Sequence, residues 1–92
     1  MKILSKVPQS GDGFPDGVLK LDYQSSYDSL ADWALIMPGK NPDFWIISLH
    51  GHGSHGDQLY TRQDIRETWL PAFRETGAGI LTPNLRDNAW MN

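Results

Sequence analysis

Phe44-Trp45-Ile46-Ile47-Ser48-Leu49 runs directly into His50-Gly51-His52-Gly53-Ser54-His55-Gly56-Asp57, and this passage decides how the chain folds. The first part is apolar on both faces of an extended strand, as strands buried in parallel sheets are. The second part gathers all three histidines of the chain within six residues and sets glycines between them. A glycine-rich loop leaving a buried strand can offer backbone N–H groups to a developing negative charge. It can equally offer imidazoles to a metal ion.

Downstream, Thr61-Arg62-Gln63-Asp64 has the form of a capping box, with an acidic residue three positions after the cap. Ile65, Trp69, Ala72 and Phe73 then fall at i, i+4, i+7 and i+8 and make one apolar helical face, leaving Arg66, Glu67, Arg74 and Glu75 for solvent. Pro71 is expected to kink this helix or begin a second segment, and Gly77 to stop it. Residues 79–83 read as a short strand and 84–92 as a loop.

Upstream, Leu19, Leu21 and Tyr23 alternate with Lys20 and Asp22, which predicts a half-buried strand over 18–23 near a sheet edge. Residues 33–37 form a short apolar run stopped by Pro38-Gly39, and the brief polar connection favours an antiparallel pair. Residues 8–17 are rich in glycine, proline and aspartate, so 1–17 is expected to be an irregular lead-in. The predicted class is α/β, a single partial domain over 1–92 with its strands and helix in 18–92. Strand–helix–strand implies a right-handed parallel crossover, which sets the histidine loop at the carboxyl end of its strand, where functional loops of such sheets lie.

Ninety-two residues allow one domain at most, and a chain this short buries only about 60–65% of its unfolded surface. The four tryptophans point to a packed core, with Trp33, Trp45 and Trp69 at positions expected to be inside. A net charge of −3 with scattered Lys and Arg argues against a nucleic-acid partner. The chain has no cysteine, which removes disulfides and thiolate metal sites. No run reaches the ~20 apolar residues of a membrane span, and the amino terminus has no stretch of signal length. A cytoplasmic protein with no membrane partner is expected.

Ile46-Ile47-Ser48-Leu49-His50-Gly51-His52-Gly53 resembles the strand and His-Gly-x-Gly loop near the amino terminus of the α/β-hydrolase fold, and the likeness covers roughly residues 18–90. It is nearest to the esterase and prolyl-oligopeptidase-like branches. The resemblance implies the amino-terminal part of an α/β-hydrolase sheet, in which the backbone N–H groups of His52 and Gly53 donate to the oxyanion. His50 and Gly51 would support the loop, and Trp90 would line the substrate pocket or simply pack. The parent would be a serine hydrolase acting on a small-molecule ester or a peptide, with no cofactor. The Gly-x-Ser-x-Gly nucleophile motif is absent; His52-Gly53-Ser54-His55-Gly56 departs from it at its first glycine and follows a different strand. Nucleophile, base and acid would all lie outside these residues.

Two alternatives stay open. His50-x-His52-x-Ser54-His55 resembles the zinc loop of metallo-β-lactamase-fold hydrolases, with Asp57 as a further oxygen ligand, which would make zinc the cofactor. A non-catalytic hydrolase-like module is the other. In either case a strand apolar on both faces needs neighbours on both sides, and one helix leaves a sheet face bare. The sequence therefore predicts the amino-terminal piece of a longer protein.

Overall fold

The computed structural model describes residues 2–11, 13–24, 31–50 and 55–85. The strands are β1 (Lys2–Pro8), β2 (Leu19–Gln24), β3 (Ala31–Met37), β4 (Asn41–Ile47) and β5 (Ala78–Pro83); between the last two come helices α1 (Gln58–Thr61) and α2 (Gln63–Glu75). They form one five-stranded sheet in the order β1-β2-β3-β5-β4. β1, β2, β3 and β5 pair antiparallel in succession, and β4 pairs parallel to β5. The expected antiparallel pair is β2–β3, and the expected parallel crossover is β4–α1–α2–β5.

Register assigns the faces, because paired residues share a side and alternate along each strand. Met37 opposes Ile80 and Leu35 opposes Thr82; Leu35, Met37 and Ile80 meet Leu59, Tyr60 and Leu70 of the helices, with Val18 closing the core. Each such large apolar side chain contributes about 1.5–3 kcal/mol on burial. Leu19 opposes Ile36, Ile36 opposes Leu81, and Leu81 pairs with Ile47. This second face is therefore apolar as well, and no described helix packs on it.

Several expectations are corrected. Residues 1–17 are not irregular throughout, since Lys2–Pro8 forms β1. β4 is an edge strand, so the segment predicted to be buried leaves Phe44, Trp45, Ile47 and Leu49 exposed. Trp69 is exposed and Trp33 is only half-buried. Helix α2 is turned so that Leu70 is its buried residue, with Ile65 and Phe73 partly buried beside it. No capping box forms. Arg62 occupies the N-cap of α2 without a side-chain cap bond and pairs with Asp64 at 3.1 Å, while Thr61 Oγ1 donates to the Asp57 carbonyl. The chain breaks at Arg62 and α2 continues through Pro71. Gly77 does stop the helix, at φ +77°, a conformation that only glycine adopts without cost.

Candidate functional site

The loops leaving β4 and β5 meet at the carboxyl ends of these two parallel strands. The Ser48 N–H donates to the Leu81 carbonyl at 2.9 Å and carries the pairing one step past β4. His50 follows and is buried, at 4% exposure. The Leu85 N–H donates to His50 Nε2 at 2.8 Å. An acceptor nitrogen carries no proton, so this contact requires the neutral imidazole with its hydrogen on Nδ1. The ring thus ties the residue that opens the histidine loop to the segment after β5.

Asn84 makes a second tie. Its Oδ1 accepts the Gly56 N–H at 2.8 Å, and its own N–H donates to the Trp33 carbonyl at 2.9 Å. A Cβ on Gly56 would lie 2.8 Å from the Asn84 Cα, so only glycine fits against it. The far end of the loop is thereby held to the same post-β5 segment and to the start of β3. Sequence reading placed Asn84 and Leu85 in an undistinguished loop; both ties span many residues, and no local signal announces them.

The other expected site residues divide. His52, Gly53, Gly51 and Trp90 lie outside the described residues, and so does Ser54. His55 is exposed and its carbonyl accepts the Gln58 N–H at 3.1 Å; Asp57 is half-buried at the N-cap of α1. Among the described residues no three His, Asp or Glu side chains gather to hold a metal ion. The Nε2 lone pair of His50 is already committed to a backbone donor and is not available to a metal.

A groove of ≈ 360 Å³ runs beside the loop between residues 47–49 and Ile65, Trp69 and Phe73. A larger concavity, ≈ 1120 Å³, lies at the opposite end of the sheet near Gly39 and Gly77. Its cations Lys40, Arg66 and Arg74 are offset by Asp16, Glu67 and Glu75, so it selects no sign of ligand charge. No described helix is long and apolar enough to cross a membrane. No family model, curated protein or solved structure matches this chain.

Proposed function

We propose that this chain carries the oxyanion-loop side of a serine hydrolase site that acts on an ester or peptide bond. One observation carries the reading: buried His50 stands at the carboxyl end of β4 with its ring bonded to Leu85 beyond β5. A loop-supporting imidazole at that position is what the resemblance to α/β hydrolases implies. The order of elements, an antiparallel pair and then strand, histidine loop, helix and parallel strand, gives further support. A serine Oγ from outside these residues would add to the carbonyl carbon as its proton passes to a base that also lies outside them, and the π pair would move onto oxygen. The N–H groups of His52 and Gly53 would donate to that oxyanion until it collapses and expels the alcohol or amine. The same base would return the proton to the leaving alcohol or amine.

The test begins with the DNA beyond codon 92. An open frame encoding Gly-x-Ser-x-Gly about one βαβ unit on supports the reading, and a stop there overturns it. In the extended polypeptide a fluorophosphonate should label that serine. Gly53→Pro, which removes a donor N–H, should slow turnover of an activated ester by about 10²–10³.

The metal reading makes opposite predictions for the same loop. A zinc site would bring metal through purification without supplementation and would lose it in His52→Ala. An oxyanion donor acts through its backbone and tolerates that change. The commitment of His50 Nε2 to Leu85 favours the hydrolase loop.

A further inference from the structure

The connection between β1 and β2 lies against the helices. Its base is closed, with the Gln9 N–H donating to the Val18 carbonyl at 2.8 Å. Its middle is pinned. Phe14 stacks on the ring of Tyr60, with centroids 5.3 Å apart, and packs against the core. Gly13 stands at φ +91° beside the Tyr60 carbonyl and the Arg66 guanidinium, where a Cβ would collide with both. That carbonyl is among the last of α1, which have no partner within the helix, and Arg66 Nη1 donates to it at 3.1 Å. On either side of the pin, Gly11 and Gly17 are exposed, at φ +113° and +96°. Chain neighbours apart, no described residue comes within 4 Å of where a Cβ on either would lie.

What lies under the pin is the exit of the histidine loop. Helix α1 is a single turn of four residues, and so short a helix is held by its packing and not by its own hydrogen bonds. Its buried residues are Leu59 and Tyr60, and Tyr60 is the one that Phe14 covers. The N-cap of α1, Asp57, directly follows Gly56, whose N–H is bonded to Asn84. Phe14 therefore presses on the chain one helical turn beyond the far end of the loop. The near end is held separately, by His50 and Leu85.

We infer that the β1–β2 connection is a glycine-hinged strap that controls the far end of the histidine loop. Pinned by Phe14, it seats α1 and fixes Gly56 against Asn84. Lifted about Gly11 and Gly17, it releases α1 and frees that end, while His50 keeps the other. A hinge concentrates backbone rotation in a few residues. Glycine takes either sign of φ, and Gly11 and Gly17 have the space to use that freedom, whereas Gly13 is hemmed in by Tyr60 and Arg66. Asp16 and Gly17 also border the large concavity at the opposite end of the sheet, so this limb of the strap has room to move. Gly13 and Phe14 are thus positioning residues that act through Tyr60. The inference holds whichever chemistry the histidine loop performs.

Amide exchange of the 92-residue chain, followed residue by residue, tests it. In Phe14→Ala the Gly56 amide should exchange about tenfold faster or more relative to the amides of β5, which report opening of the whole fold. The Leu85 amide should show no such selective gain. Gly17→Ala is the sharper variant, because its methyl touches nothing and acts only by straining the pinned backbone; it should favour Gly56 exchange by about fivefold. Ile80→Val lowers stability from within the sheet and should speed Gly56 and β5 by one common factor. If Phe14→Ala fails to fold, Phe14→Leu and Gly17→Ala make the same comparison. Gly56 keeping pace with β5 in the strap variants would overturn the inference. So would a selective gain at Gly56 in Ile80→Val, since the far end would then open without the strap.

Discussion

Replacing His50 with alanine should loosen both loops at the carboxyl end of the sheet. The ring is buried and accepts the Leu85 N–H at 2.8 Å. Its removal leaves that donor without its partner, at a cost of about 1–3 kcal/mol when water is excluded. Leu85 is only half-buried, so water replaces part of the bond and the low end, near 1 kcal/mol, applies here. Lost packing of the ring adds about 1–2 kcal/mol, below the range for a fully apolar side chain. The expected total is about 2–3 kcal/mol, against a global stability of roughly 5–14 kcal/mol for a chain of this size.

Urea denaturation followed by tryptophan fluorescence measures the total, and amide exchange of Leu85 measures the local part. His50→Gln, whose side-chain oxygen can accept the same N–H, should recover a portion of the loss. A destabilisation below about 0.5 kcal/mol, within the range of ordinary surface substitutions, would refute the bracing argument. Unchanged exchange at Leu85 would refute it independently.

Tyr60 is fully buried, stacks on Phe14 at 5.3 Å, and its hydroxyl has no hydrogen-bond partner among the described residues. Burial pushes its pKa up to about 12, opposed in part by Arg74. The raised value means the neutral phenol is favoured on folding, so this stability is complete below pH 10 and is lost as pH rises towards 12. Absorbance at alkaline pH should show one late-titrating tyrosine, coincident with unfolding. Tyr60→Phe should remove that phase and be neutral or stabilising by about 1 kcal/mol, because it deletes an unsatisfied buried hydroxyl. Gly39→Ala and Gly79→Ala should differ. A Cβ at Gly39 would lie 2.3 Å from the Gly77 carbonyl oxygen, whereas at Gly79 it meets the ring of half-exposed Trp45 at 2.6 Å. Backbone cannot step aside and a ring can, so thermal melts should show Gly39→Ala the worse by about 1–2 kcal/mol.

The strands that sequence reading places well are those with a local period. Leu19, Leu21 and Tyr23 alternate cleanly, and Pro38-Gly39 and Gly77 punctuate β3 and α2. β1 escapes notice because its register shifts between Ile3 and Ser5, which breaks the two-residue alternation that announces a strand. The helix boundary is misplaced because Thr61 turns its hydroxyl back to Asp57 instead of capping forward. Pro71 ends nothing, since Glu67, whose carbonyl loses its donor, is on the exposed side of α2 and can be served by water. At the candidate site, His50 stands out in the sequence by its position after an apolar strand. Its partner was not, because Leu85 lies 35 residues away.

The largest departure, the exposure of β4, follows from what a sequence pattern encodes. Apolarity on both faces of a strand states that both faces are covered; it does not state which residues cover them. Within the described residues, α1 and α2 cover one face and β5 covers one edge. Side chains on the other face, from Leu19 across Ile36 and Leu81 to Ile47, are then stabilised only by their neighbours in the sheet. The hydrophobic effect scales with area removed from water, so covering this face would add free energy that α1 and α2, packed on the opposite face, do not supply.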